Sequence, residues 1–322
     1  KQGKGFFHIG CSGHEAAGMA AALAFKPGFD YAYPYYRDQA FCLGWGMTSR
    51  DHLLAFLAKE DDPSSGGRQM PQHYGHRELK IVSQSSSTGT QFLQATGAGF
   101  ALQKNGENGV AYVSSGEGTS SQGDFHEALN WASRDKSPVI FHIENNGYAI
   151  SVPIEDQTAG ASVYKISAGY DNLARFNVDG TDFFETHLAF KKAVERARKG
   201  KGPSLIQSDV VRLLPHSSSD DQRKYRQEKD LESDRKRDPL LIFANTCIAE
   251  GIAKQEAFDK IRDIVKSQVD EDADWAEAQA DPISGDGQKN VYFDADWQND
   301  PVPNPNGGEK IVLVDAINHA LD

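Results

Sequence analysis

Short apolar runs alternate with helix-like stretches between residues 109 and 211, and this alternation most constrains the fold. Residues 109–115, 138–143, 174–178 and 204–211 are mostly rich in β-branched or aromatic side chains and read as strands, while residues 122–134 and 183–198 between them read as helices. A strand that returns through a helix to the next strand builds a parallel sheet, since antiparallel neighbours need only a tight turn. The expectation is an α/β fold, with a central, mostly parallel sheet flanked by helices. Upstream, the Ala-rich residues 13–25, the amphipathic residues 50–59 and the small-residue stretch 90–103 are expected as helices that cover the sheet.

Beyond residue 238 the pattern changes. Residues 239–249 and 254–269 place Phe258, Ile261, Val265 and Val269 at helical spacing, which predicts a partly exposed helical tail. Residues 281–310 are dense in Pro, Gly, Asn and Asp, with Pro301, Pro303 and Pro305 alternating, and read as a linker. Residues 311–322 then set Leu313, Ile317, Ala320 and Leu321 on one helical face, as at the start of another domain. The expected division is therefore a domain with its helical tail over 1–280, a linker over 281–310 and a new domain from 311. Because residue 1 stands directly before structured sequence, the natural N-terminus is expected further upstream.

Charge and cysteine usage narrow the function classes. A net charge of −12 repels phosphate backbones and anionic lipid, and the basic runs at 196–201 and 235–237 sit among acids, so nucleic acid is not an expected partner. The 3 cysteines, Cys11, Cys42 and Cys247, are far apart and form no CxxC pair, which argues against a disulfide scaffold or thiolate zinc site and suits a reducing cytoplasm. No apolar run approaches the roughly 20 residues of a membrane span, and residues 1–7 lack a signal-peptide core. A soluble protein without a membrane partner is expected.

The sharpest chemical pattern is Gly116-Glu117-Gly118 at one strand end and Asn145-Asn146-Gly147-Tyr148 at the next, with Glu117 and Asn146 29 positions apart. Adjacent parallel strands joined by one helix bring those groups together at the carboxyl edge, where α/β sheets bind ligands. The Glu117 carboxylate, the Asn146 amide oxygen and the Tyr148 carbonyl are hard donors suited to Mg²⁺, which borrows its remaining ligands from water and phosphate. Either motif alone also reads as a simple turn. A serine hydrolase is a second possibility, from Ser12 within Gly10-Cys11-Ser12-Gly13 and from Ser217 beside His216, but neither has the Gly-x-Ser-x-Gly elbow.

The paired motifs resemble the thiamine diphosphate signature, usually Gly-Asp-Gly then Asn-Asn, of the decarboxylating component of 2-oxo acid dehydrogenase complexes. Residues 116–130 are similar to its α subunit almost throughout, and the resemblance covers most of residues 10–250. It implies that Tyr36, Arg37, Gly116, Glu117, Gly118, Thr119 and Asn146 bind thiamine diphosphate, with magnesium on Glu117, Asn146 and Tyr148. Arg37 suits a diphosphate because guanidinium forks onto phosphate oxygens, although Arg37-Asp38 also reads as a surface ion pair. The resemblance further implies that Ser86 and Thr88 cradle the aminopyrimidine, and that Ser85, Ser87, Thr90 and Gln91 supply a potassium site. Ser87 and Thr88 stand where Pro and Leu are familiar, which weakens the apolar cofactor contact and the potassium site alike. Met70-Pro71-Gln72-His73 resembles a segment bordering the site, with His73 read as catalytic or as structural.

Arg212 to Arg226 resembles a loop in which His216 positions substrate or lipoyl group and moves a proton, held in order by Arg212, Asp220, Tyr225 and Arg226. Ser217 takes the position that is phosphorylated in animal relatives. The implied reaction is oxidative decarboxylation of a 2-oxo acid with transfer of the acyl group to a lipoyl arm on a partner acyltransferase core. Glu117 and the histidine-serine loop favour a branched-chain substrate, with pyruvate or a non-catalytic assembly subunit as alternatives. In this family the activating carboxylate belongs to the β subunit of an oligomeric heterotetramer. Residues 311–322 resemble that subunit's opening helix, so the implied arrangement is an α–β fusion, inactive without its β half.

Overall fold

The computed structural model describes residues 3–289 and 311–321. By its contacts the chain divides into one compact unit over 1–282 and a second over 283–322. The first unit is built on a five-stranded sheet of β1 (Tyr31–Tyr33), β2 (Ala111–Gly116), β3 (Val139–Asn145), β6 (Ala174–Asp179) and β7 (Ser204–Asp209). Its order is β1-β2-β3-β7-β6, with every neighbouring pair parallel. A two-stranded hairpin, β4 (Tyr148–Ala149) with β5 (Val152–Pro153), follows β3.

Side chains alternate across each strand, so one strand serves two cores. Val113, Phe141, Ile143 and Leu205 meet Phe92 and Ala95 of α4 (Thr90–Lys104) and Phe125 and Leu129 of α5 (Gly123–Asp135) on one face. On the other, Tyr112, Ile140 and Ile206 meet α1 (Glu15–Ala22), α2 (Gln39–Trp45) and α8 (Phe183–Arg198) through Ala21, Phe41, Trp45, Phe190 and Val194. Two short turns, α6 (Ile154–Gln157) and α7 (Val163–Ile166), bridge the hairpin to β6.

The four expected strands and the helices at 90–103, 122–134, 183–198 and 239–249 form within one or two residues of their expected ends. Elements without a periodic signal include β1, of 3 residues, α2, of 7 residues, and α9 (Glu228–Arg235) in the polar stretch before α10 (Pro239–Ala249). The tail helix α11 runs further than its apolar spacing suggests, over Gln255–Glu277. Its last turns dock on α3 (Ser49–Phe56), where Asp272 bonds Ser49 and, at 2.7 Å, Arg50, whose guanidinium lies over Trp275. Ile261, Val265 and Val269 stay exposed, as a half-uncovered tail requires.

The second unit contains α12 (Leu313–Leu321), which carries Leu313, Val314, Ile317 and Leu321 exposed along it. Most of the expected linker, including Pro301, Pro303 and Pro305, lies outside the described residues. Cys11, Cys42 and Cys247 are all free thiols. Among the described residues no helix is long and apolar enough to cross a membrane.

Candidate cofactor site

Four adjacent strands, β1, β2, β3 and β7, deliver the four chemical segments to one edge of the sheet. Residues 35–37 follow β1, Glu117 follows β2, Asn146 follows β3 and the His216 loop follows β7. The carboxyl ends of parallel strands share one side, so residues up to 181 positions apart in the chain line one cavity of about 270 Å³. Tyr36, Arg37, Thr88, Gly116, Glu117, Gly118, Thr119, Asn146, Tyr148 and His216 all face it.

Glu117 opens a 3-10 turn, Glu117–Ser121, and α5 follows from Gly123. The turn tucks the Glu117 side chain inward to 1% exposure. Its Oε2 accepts the Asn146 backbone N–H at 3.1 Å, and its Oε1 is buried without a hydrogen-bond partner. Burial raises the Glu117 carboxyl above the usual range, opposed by backbone N–H groups and the Arg212 and Arg37 guanidiniums. The Asn146 amide oxygen accepts from Tyr148 N at 3.2 Å, closing a turn completed by Gly147 at φ +82. Gly118 allows the hairpin to close over this turn, since a Cβ there would lie 2.7 Å from that of Ala149.

Arg37 is buried and makes no ion pair with Asp38, which corrects the surface-pair reading. Its Nη1 donates to Gly10 O at 2.6 Å, its Nη2 meets His216 Nδ1 at 3.3 Å, and the guanidinium sits 5.4 Å from the Tyr36 ring centre. Arg212, equally buried, donates to Ile150 O and to the Tyr225 hydroxyl at 2.8 Å, with its charge between the Tyr148 and Tyr225 rings. Among the described residues neither arginine pairs with a carboxylate, and Arg37 Nε, Arg212 Nε and Arg212 Nη1 lack hydrogen-bond partners. Two buried cations beside unpartnered N–H groups suit a multiply charged anion.

His216 is held at its backbone by Asp220 at 2.8 Å, and Tyr225 in turn binds the same carboxylate oxygen. Burial, with Arg37 and Arg212 nearby, lowers its pKa to about 4, so the imidazole is neutral at pH 7. The Ser217 hydroxyl pairs with Ser219 rather than with His216, which gives the hydrolase reading no nucleophile and base in contact.

Ser86 lies in a smaller recess of about 20 Å³ with Tyr35, Tyr36, His73, Thr88 and Thr119. His73 is engaged on both ring nitrogens, with Met70 O at 3.0 Å and Ser86 Oγ at 2.8 Å, an arrangement that positions Ser86. In the adjoining loop, Ser85 Oγ meets Ser87 O at 2.8 Å and Thr90 Oγ1 at 2.7 Å. Gln91 is turned differently, with its amide oxygen on Gly89 N and its nitrogen on Ser114 O. A larger hollow of about 320 Å³ lies beside Met47, Phe56 and Tyr74, with Asp51 its one carboxylate and no lysine or arginine in its lining.

A family model described as "Dehydrogenase E1 component" matches residues 1–284. The chain belongs to this family. It is 43% identical over 277 residues to the 2-oxoisovalerate dehydrogenase subunit alpha of Bacillus subtilis strain 168, covering 86% of this chain and 84% of that one. It is 34% identical over 286 residues to the protein of the same name from Pseudomonas aeruginosa, covering 88% and 69%. The pyruvate dehydrogenase E1 component subunit alpha of Staphylococcus epidermidis is 34% identical over 272 residues, covering 84% and 70%. The chain is thus part of a thiamine-diphosphate-dependent 2-oxo acid dehydrogenase, and its cavity carries the donors that such a cofactor calls for.

Several residues around the site had no sequence signal. Gln157 Nε2 ties Gly118 O at 2.7 Å to Ser121 Oγ at 2.9 Å from 36 or more residues away. His14, Tyr35 and Glu144 form a buried hydrogen-bonded network. Glu144 was the visible hint, a carboxylate in a strand that is otherwise uncharged at neutral pH and mostly apolar.

Proposed function

We propose that this chain binds thiamine diphosphate through Tyr36, Arg37, Thr88, Gly116, Glu117, Gly118, Thr119 and Asn146, and that it serves oxidative decarboxylation of a branched-chain 2-oxo acid. The observation that carries the reading is the buried, unpartnered Glu117 Oε1 in a cavity that Arg37 also lines, since a divalent ion would give that oxygen a partner and a diphosphate would give Arg37 a counter-charge. Glu117, the Asn146 amide oxygen and the Tyr148 carbonyl would hold magnesium. When bound, thiamine diphosphate supplies the nucleophile and electron sink that loss of carbon dioxide from a 2-oxo acid requires.

The chain's own residues orient and protect. Arg37 would neutralise diphosphate charge, Ser86 and Thr88 would border the aminopyrimidine, and neutral His216, in the lining of the same cavity, would position the acyl group and move a proton. Ser85, Ser87, Thr90 and Gln91 offer uncharged oxygens of the kind potassium takes. The activating carboxylate is assigned to a β-type partner, with residues 311–322 as the opening of a fused β half. The acyl group is delivered to a lipoyl group on an acyltransferase core, within an oligomeric assembly in the cytoplasm.

The branched-chain preference follows the 43% relative over the 34% pyruvate relative. Steady-state rates of the full-length protein with its β-type partner test it. A higher kcat/KM for 3-methyl-2-oxobutanoate than for pyruvate is expected, and the reverse order contradicts it.

A further inference from the structure

Asp209 ends β7, although aspartate is disfavoured in strands. It is half-buried and stands opposite Asn145, the last residue of β3, in the parallel register of the two strands. Neither residue lines the cofactor cavity. Three side-chain amides converge on the Asp209 carboxylate. Asn145 Nδ2 and Gln207 Nε2 each donate to Oδ1 at 2.8 Å, and Asn177 Nδ2 donates to Oδ2 at 3.3 Å. Buried Gln207 is fixed in this orientation, because its amide oxygen already accepts from Tyr164 N at 2.8 Å and from Ser162 Oγ at 3.2 Å.

The consequence falls on Asn145. A carboxamide has an oxygen on one side and an N–H₂ on the other, whereas a carboxylate offers only lone pairs. Asp209 therefore takes the N–H₂ side of Asn145 and leaves its oxygen for another partner. That oxygen accepts from Gly147 N at 3.1 Å, spanning Asn146, while the Asn145 main-chain carbonyl accepts from Val210 N at 2.9 Å. The end of β7 thus holds Asn145 at both its backbone and its side chain, and Asn145 holds the turn that carries Asn146 and Tyr148.

We propose that Asp209 is a positioning residue for the magnesium site. By fixing the Asn145 amide it braces the turn, and so sets where the Asn146 amide oxygen and the Tyr148 carbonyl stand relative to Glu117. The metal assignment rests on the reading in the preceding subsection, but the bracing of the turn does not. Mg²⁺ demands near-octahedral ligands at about 2.1 Å, whereas Ca²⁺ accepts looser and more variable arrangements. Loss of the brace costs Mg²⁺ more than Ca²⁺, a discrimination that a general loss of stability does not produce.

Titrations of thiamine diphosphate binding against Mg²⁺ and against Ca²⁺, on the full-length protein assembled with its β-type partner, test the proposal. Asp209→Leu should weaken the apparent affinity for Mg²⁺ by about tenfold or more, and that for Ca²⁺ by less than about threefold. Asp209→Asn, which keeps an oxygen for Asn145 and Gln207, should stay within about threefold of wild type for both ions. Adding Asp209→Leu to Asn145→Ala should cost Mg²⁺ affinity no more than about twofold further, since the bond between the two residues is already gone. Equal losses for the two ions, no loss in Asp209→Leu, no rescue in Asp209→Asn, or additive losses in the double variant overturn the proposal. If Asp209→Leu does not fold, Asn145→Ala breaks the same bond from its other end and must show the same larger loss for Mg²⁺.

Amide hydrogen exchange of the cofactor-free protein reads the brace without the metal. Residues 145–149 should exchange faster in Asp209→Leu than in wild type or Asp209→Asn, and unchanged exchange overturns the proposal. A wild type that shows this difference yet binds cofactor with neither ion supports the brace and counts against the proposed function alone.

Discussion

The backbone N–H of Asn146 donates to Glu117 Oε2 across 3.1 Å, although 29 residues separate them. The contact exists because β2 and β3 are parallel neighbours with Gly116 opposite Glu144, so both chains leave the sheet at the same height. It also places Asn146 in the lining of the cavity beside Glu117. Asn146→Ala should therefore weaken magnesium-dependent cofactor binding by about tenfold or more, and Asn146→Asp, which keeps the oxygen, by less. Cofactor titrations at graded magnesium concentrations check the order of the two variants.

His216 is predicted to act on turnover more than on binding. With a pKa of about 4 it is neutral over the working range, and its ring meets Arg37 through a 3.3 Å contact while its backbone carbonyl, which substitution leaves in place, accepts from the same guanidinium at 3.4 Å. His216→Ala should lower kcat by on the order of 10² to 10⁴, with cofactor affinity changed by less than about threefold. A parallel loss of affinity and kcat would make His216 a prop for Arg37 instead. Ser217→Ala, whose hydroxyl meets only Ser219, should keep its kcat and so separate this chemistry from serine hydrolysis.

The buried imidazole of His142 makes part of the stability depend on pH. Burial lowers its pKa from 6.5 to about 3, while Tyr112 and Ser208 hold the neutral ring. Between those values the unfolded chain binds the proton and the folded one does not. Stability from this group is thus complete above pH 6.5 and falls as pH drops towards 3, by about 1.4 kcal/mol per pH unit. Denaturant unfolding of wild type and His142→Gln should show the gap between them changing with that sign below pH 6.5. A gap constant with pH would contradict it.

Strand and helix periods made the sheet legible because β2, β3, β6, β7 and the helices between them bury one-sided or continuous apolar surfaces, and burial leaves a pattern in sequence. β1 and α2 left none. They are too short to show a period, and long-range contacts place them, the pairing of β1 with β2, the burial of Phe41 and Trp45, and the bond from Tyr35 N to Ser114 Oγ at 3.0 Å. The site was legible for a similar reason. Glycines and hard oxygen donors at two strand ends specify phosphate and metal chemistry locally, whereas the pairing of Arg37 with His216, 179 residues apart, depends on strand order that sequence spacing does not carry. The 3-10 turn at Glu117 was likewise invisible, because its residues also suit a helix start.

The central claim is that Glu117 holds a divalent ion against a diphosphate. Calorimetric titration of thiamine diphosphate into the full-length protein, assembled with its β-type partner, tests it with magnesium present, with magnesium chelated, and in Glu117→Ala. The account predicts tight binding only for wild type with magnesium, and losses of about a hundredfold or more on chelation and in the variant. Equal affinity in all three experiments would contradict it.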